Sequence, residues 1–238
     1  PDQARRTVGI GDRDSNSGPT GCVDASVGVM SQNRQVAKAR LDRRIKACRK
    51  CTSPDRLNVP GETASAPGYG SIDSPVAIVG EALCRRCMAK QEPFYGGSGR
   101  VLDRCFERAG HAKTELFITN SIHCHPPNDR DPLVHETENC AGFLREELRD
   151  IVQPRLVIAV GKFAKSAVLR LYPEPDGREI SWPFRVPRSK QSDLSGLTHL
   201  LFPPHPYYIM TRATHIRDEY ERRVARAIQW AFDVEGVR

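Results

Sequence analysis

No stretch of the 238-residue sequence approaches the roughly 18 consecutive apolar residues of a membrane-spanning helix, and nothing in it resembles a secretory signal. These absences argue against an integral membrane protein and against a secreted one, so a soluble, intracellular chain is expected. Acidic residues are the minority charge, 29 against 36 Lys and Arg, which gives a net charge of +7 and a pI near 9.1. Such a balance suits a polyanionic partner, because basic surface lowers the free energy of approach to nucleic acid. Hydrophobic residues make up 39% of the chain, enough for a real core.

What the sequence does have is cysteine: Cys22, Cys48, Cys51, Cys84, Cys87, Cys105, Cys124 and Cys140. In a short exported chain these would suggest disulfides. In an enzyme-sized chain without an export signal, metal binding is the better reading.

Residues 1–33 are rich in Gly, Ser, Asp and Asn without hydrophobic periodicity and are expected to be a disordered tail. Residues 34–238 are expected to form a single domain. From Arg34 to Lys50 basic residues dominate, with Asp42 the single acid. Val36, Ala37, Leu41 and Ile45 can share one face of a short basic helix there, either a solvated surface or a contact for a DNA backbone. Prolines and glycines between residues 52 and 74 mark a loop.

A repeating pattern follows. Val76-Ala77-Ile78-Val79 is a continuous apolar run, as in a strand covered on both faces. Ser98 is positioned to cap a helix with the stripe Val101, Leu102, Cys105, Phe106 and Ala109, closed by Gly110. Leu116 to Thr119 reads as a second strand and Leu133 to Val152 as a second helix. Leu156 to Val160 reads as a third strand, with a helix over Phe163 to Leu171. His199 to Phe202 reads as a fourth strand, and Ile216, Tyr220, Val224 and Ile228 mark a closing helix. Alternating strands and helices predict an α/β fold with a mainly parallel sheet between helical layers. In such sheets ligands bind beyond the carboxyl ends of the strands. Glu81, Asn120, Gly161 and His205 all fall there, so a carboxylate, an amide and an imidazole are expected on one rim.

The pairs Cys48/Cys51 and Cys84/Cys87 can together hold zinc, although their separation is long for that purpose. Alternatively, Cys48 and Cys51 combine with Cys124 and Cys140 around zinc or an iron–sulfur cluster. Spacing leaves both choices open.

The order of motifs is specific. Cys48-x2-Cys51 is followed by Val79-Gly80-Glu81-Ala82, Pro93-Phe94 with Gly96 and Gly99, and Thr119-Asn120 with Cys124 four residues on. Then come Pro126-Pro127, Asn128-x-Arg130-Asp131-Pro132, Asn139-Cys140 and His205-Pro206. From about Ile45 to Arg212 this resembles the iron–sulfur uracil-DNA glycosylases of family 4. The resemblance implies a three-layer α/β/α domain with a central four-stranded parallel sheet, and a structural [4Fe–4S] cluster on Cys48, Cys51, Cys124 and Cys140. It leaves Cys84/Cys87, His123 and His125 without a metal. The implied activity is monofunctional hydrolysis of the N-glycosidic bond of deoxyuridine in DNA, with the nucleotide flipped into a pocket. Gly80, Phe94 and Asn120 are the implied uracil-binding residues. Glu81 and His205 are the implied catalytic ones, with Pro206, Tyr207 and Arg212 against DNA. A monomeric, cytoplasmic, nucleoid-associated protein is the expected setting. The sequence departs from the family's Gly-Glu-x-Pro-Gly, having Gly80-Glu81-Ala82-Leu83-Cys84, followed by Arg85-Arg86-Cys87. This loses a rigid turn, and it leaves a non-catalytic or altered-specificity DNA-binding protein as the alternative.

Overall fold

The computed structural model of the chain describes residues 25–187 and 197–233. Helix α1 spans Ala25–Lys46 and so starts inside the segment expected to be disordered; residues 1–24 lie outside the described residues. Its expected apolar face is half right. Leu41 and Ile45 are buried, but Val36 is 69% exposed and Ala37 is exposed as well.

Several of its cations hold α1 to the body. Arg34 pairs with Asp73 and donates to Ile151 O at 3.2 Å, Lys38 donates to Gly68 O at 2.9 Å, and Arg44 meets Glu146 at 2.6 Å. Arg40, Arg43 and Lys46 remain exposed to solvent.

The sheet contains β1 (Tyr69–Gly70), β2 (Val76–Gly80), β3 (Phe117–Asn120), β4 (Leu156–Ala159), β5 (Gly177–Ile180) and β6 (Thr198–Leu201), in the order β1-β3-β2-β4-β6-β5. The four expected strands are its contiguous parallel centre, β3-β2-β4-β6, but the sheet has six strands. The parallel strand β5 extends one edge and the antiparallel β1 the other. Both additions are short, and neither carries the apolar run that marks a doubly covered strand.

Period-2 alternation sorts side chains between the two faces. Val76, Ile78, Ile118, Leu156, Ile158 and Leu201 pack beneath α3 (Gly99–Ala109), α6 (Pro206–Met210) and α7 (Thr214–Asp233). Ala77, Val79, Phe117, Val157, Ala159 and Leu200 pack against α1, α4 (Val134–Arg145) and α5 (Lys162–Leu171). This is the expected three-layer α/β/α arrangement. On α7, Tyr220, Val224 and Ile228 face the core while Ile216 is exposed.

Helix ends follow local chemistry in part. Gly110 closes α3 in the left-handed conformation, where its backbone N–H donates to Glu107 O and Phe106 O. Ser98 occupies the position before α3, but its side chain makes no capping bond. A six-residue helix, α2 (Arg85–Lys90), follows β2. Helix α4 continues as a π-helical stretch, Glu146–Val152, which places Glu147 in the interior.

Candidate functional site

The rim is assembled by strand register. β2 lies between β3 and β4, so the chain reverses direction across the sheet at β2, where open α/β sheets form a crevice. Gly80 and Asn120 are direct neighbours at the ends of β2 and β3. The chain stays paired beyond them, with Ser121 N donating to Gly80 O at 2.8 Å and Ile122 N to Glu81 O at 3.0 Å. Ser121 Oγ donates to Glu81 O at 2.7 Å.

Gly80 has no room for a side chain. A Cβ there would lie 2.3 Å from Asn120 Oδ1 and 2.6 Å from Phe94 Cζ, so the amide and the ring both press on this one glycine. Phe94 adopts a positive φ of 54°, uncommon for a bulky residue and costly unless the surroundings enforce it. Here they do. Lys113 Nζ donates to Phe94 O at 3.2 Å, and the same carbonyl packs where a Cβ on Gly99 would stand.

His205 completes the group. It precedes α6, and its Nδ1 accepts the Tyr207 N–H at 3.1 Å. Burial lowers its pKa below the ordinary value, which favours the neutral ring. With Nδ1 occupied as an acceptor, the proton of the neutral ring sits on Nε2, which is therefore a donor. The Phe94 and His205 rings stand 6.4 Å apart between centroids. Gly161, with φ of 93°, passes so close that a Cβ would lie 3.3 Å from His205 Cδ2. Glu81, half-buried, has its carboxyl pKa raised by burial and by the charge of Asp131, with Lys162 opposing. Asp131 and Lys162 pair at 2.8 Å. The structure thus gathers Gly80, Phe94, Asn120, His205 and Gly161 at the sheet's carboxyl rim, with Glu81 next to Gly80.

Past His205, Pro206 is buried while Tyr207 and Tyr208 are exposed. The Arg212 guanidinium lies 3.6 Å from the centre of the Tyr208 ring.

A second site lies beside the first. Cys48, Cys51, Cys124 and Cys140 line one cavity with Leu57, Asn58, Ile122, Glu136 and Asn139. Among the described residues no three Cys, His, Asp or Glu side chains are gathered as a lone metal ion requires. Burial pushes the Cys51 and Cys124 thiols up, and the neighbouring cysteines push them further. Four thiolates in such a place need a cationic centre among them.

The surroundings already offer a donor to sulfur: Asn139 Nδ2 lies 3.5 Å from Cys51 Sγ. Asn58 N donates to Thr63 O at 3.0 Å. Asn58 also donates to the carbonyls of Ile45, Lys46 and Cys48, which fixes the end of α1. Arg130 joins the segments that carry the cysteines, reaching Asp55 at 3.0 Å and the fully buried Glu136 at 2.6 and 2.9 Å.

Sequence reasoning gave His123 no role, and it missed Glu147. Glu147 is fully buried and accepts from Gly68 N at 2.8 Å, Thr119 Oγ1 at 2.6 Å and His123 Nε2 at 3.1 Å. Burial is the largest single effect on His123 and opposes its charged form, yet the charge and hydrogen bond of Glu147 together with the neighbouring Cys140 outweigh it and raise the pKa to about 10. The same pairing holds the Glu147 carboxyl below its ordinary value against the effect of burial. A lone Glu inside a helical pattern gives no signal of this; the His-Cys-His run of 123–125 was the one available pointer. Cys84 and Cys87 lie outside the four-cysteine cavity and are bonded to each other, so zinc on Cys48, Cys51, Cys84 and Cys87 is not the arrangement found.

A doubly wound sheet that gathers Gly80, Phe94, Asn120 and His205 at its switch point, next to a cysteine-lined cavity, defines an α/β/α protein with its candidate site at the carboxyl rim. The sequence profile of the Uracil DNA glycosylase superfamily matches residues 67–229, well over half of the chain. The chain belongs to that superfamily.

Among curated relatives, the Type-4 uracil-DNA glycosylase of Archaeoglobus fulgidus is 33% identical over 130 residues, 55% of this chain and 62% of that protein. The Type-4 uracil-DNA glycosylase of Pyrobaculum aerophilum is 35% identical over 132 residues, covering 56% and 64%. That of Thermotoga maritima is 28% identical over 178 residues, covering 74% and 85%. The match therefore spans less than two thirds of the length of the first two relatives.

Proposed function

We propose that this chain is a monofunctional uracil-DNA glycosylase, which hydrolyses the N-glycosidic bond of deoxyuridine in DNA and leaves an abasic site. The observation that carries the reading is His205, a neutral imidazole whose proton sits on Nε2 beside the Gly80–Phe94–Asn120 recess. A uracil flipped out of the duplex stacks on Phe94, and the Asn120 amide donates to O4 and accepts from N3–H, a pattern that cytosine cannot match. His205 Nε2–H donates to O2, where negative charge develops as the glycosidic bond breaks. The Glu81 carboxylate orients or deprotonates the attacking water and stabilises the oxocarbenium-like sugar. Gly80 lets the Asn120 amide and the Phe94 ring pack against the end of the strand, which sets where the base lies. Tyr207 and Arg212, just beyond His205 and Pro206, meet the DNA around the extruded nucleotide.

The four-cysteine cavity fits a [4Fe–4S] cluster. A cubane holds its thiolates farther apart than a single ion does, and the Asn139 amide already faces Cys51 Sγ. When bound, the cluster supplies cationic charge that neutralises the thiolates and ties three chain segments together. The Type-4 relatives are consistent with this assignment.

The test is release of free uracil from a deoxyuridine oligonucleotide by anaerobically prepared protein, single- and double-stranded substrates both being assayed. Release that is lost in His205→Ala supports the assignment. If neither substrate yields uracil while salt-dependent DNA binding persists, the chain is a non-catalytic member of the fold.

A further inference from the structure

Cys84 and Cys87 take no part in the base recess or in the four-cysteine cavity, yet they stand directly after Glu81 and Ala82. We propose that they form a reversible thiol–disulfide site, a dithiol that small-molecule disulfides oxidise and thiols reduce in the folded protein, and that its state sets the rigidity of the loop behind Glu81.

Four observations support this. The two cysteines are bonded to each other, and among the described residues no third ligand joins them around a metal. Their accessibility is asymmetric, since Cys84 is partly exposed and Cys87 is buried. The backbone also holds the pair together without the bond. Cys87 N donates to Cys84 Sγ at 3.1 Å, and Met88 N donates to Cys84 O at 2.8 Å, so reduction needs no unfolding. A bridge over so short a loop restricts the unfolded chain little, which makes a purely stabilising role a poor explanation.

The adjacent Leu83 links the pair to both sites. Its N–H donates to Cys124 O at 3.3 Å, and its carbonyl accepts from His125 Nδ1 at 2.9 Å. Leu83 is buried against Cys87 and Ala66. The chain from Glu81 to Cys87 is thus pinned at Leu83 and, when oxidised, closed again at Cys84.

The exchange balances with a low-molecular-weight disulfide such as oxidised glutathione. Cys84 thiolate attacks one sulfur and expels one thiolate, forming a mixed disulfide. Cys87 thiolate then attacks Cys84 Sγ and expels the second. Two protein thiols give up two protons and two electrons, and one disulfide becomes two thiols. Excess thiol runs the sequence backwards.

The test incubates the folded, metal-loaded protein in graded mixtures of reduced and oxidised glutathione, and free thiols are then alkylated. Cleavage after acidic residues, which spares the Glu92–Pro93 bond, yields the fragment 82–103, in which Cys84 and Cys87 are the only cysteines. Mass spectrometry should show that fragment passing reversibly from two labels to none across the series. Cys87→Ser, lacking the second thiol, should retain glutathione on Cys84, with about tenfold more adduct than Cys84→Ser retains on the buried Cys87. Hydrogen exchange of residues 81–84 should accelerate on reduction in the parent and be indifferent to the mixture in the double variant Cys84→Ser/Cys87→Ser. A fragment that stays labelled, or stays bonded, throughout the series overturns the proposal, as does equal adduct at the two positions or unchanged exchange in the parent. None of these readings uses uracil release, so failure of the proposed activity is told apart from failure of this site.

Discussion

Replacing Gly80 by alanine adds one methyl group where the Asn120 amide, the Phe94 ring and the sheet meet. On the existing backbone that carbon would lie 2.3 Å from Asn120 Oδ1 and 2.6 Å from Phe94 Cζ. Comfortable carbon contacts begin near about 3.5 Å, so one or both neighbours must move by roughly 1 Å. Gly80 is not among the residues with positive φ, so the effect is steric and not backbone strain. Neither neighbour has an easy retreat. Asn120 is locked in register opposite Gly80, and Phe94 is fixed by the contacts of its carbonyl with Lys113 and Gly99. Overpacking of this kind costs about 1–3 kcal/mol, which corresponds to a Tm drop of roughly 2–10 °C for a chain of this size. A misplacement of about 1 Å in a catalytic recess costs on the order of 10²-fold in rate. Single-turnover uracil release with Gly80→Ala should therefore fall about a hundredfold, beyond what any loss of folded protein explains. Gly142→Ala is the control, since it lies in α4 with nothing within 4 Å of the added carbon. It should gain roughly 0.5–1 kcal/mol and leave the rate unchanged. A Gly80→Ala protein with the parent's rate would refute the assignment of this recess to the base.

Three further outcomes follow from the same geometry. Arg130→Ala leaves the buried Glu136 without its bidentate partner and should cost about 3 kcal/mol in chemical denaturation, with faster loss of visible cluster absorbance to a chelator. Because the Glu81 carboxyl is raised by burial and then by Asp131, the rate should fall as pH drops through a value above the ordinary carboxylate 4.5. Asp131→Asn should move that acid limb to lower pH, and Glu81→Gln should remove it, as pH–rate profiles will show. Cys124→Ala should lower both folded-state stability and uracil release, since it loosens the segment that leads back to Asn120; full activity in an iron-free Cys124→Ala protein would break that coupling.

Most of the fold could be read from the chain because its central strands are buried on both faces. Val76–Gly80, Phe117–Asn120 and Leu156–Ala159 are buried throughout and open on apolar residues, and their carboxyl ends, Asn120 among them, fall on the rim where doubly wound sheets bind ligands. The two edge strands carried no such signal. Tyr69–Gly70 sits in a Pro/Gly-rich loop, and Gly177–Ile180 exposes Arg178 and Glu179. The rim residues were recoverable from motif order, but the basis of their chemistry was not. The proton on His205 Nε2 follows from a backbone N–H two residues ahead, and the strained backbone at Phe94 follows from contacts nineteen residues away with Lys113. Glu147 was invisible for a similar reason. Only the π-helical turn and three donors from separate segments make it a buried charge.

The four-cysteine cavity also implies an order of events in folding. Cys48 and Cys51 close α1, while Cys124 and Cys140 arrive only after β2, α2, α3 and β3 have been laid down. Loop closure over so many residues becomes favourable only once the intervening strands have paired. Convergence of the sulfurs in a nascent or collapsed chain is therefore disfavoured, and becomes favourable when the first half of the sheet exists. The proposed cluster, captured there, would act as a late lock on a formed scaffold, and a chain deprived of iron should reach its sheet first and stall with α1 undocked.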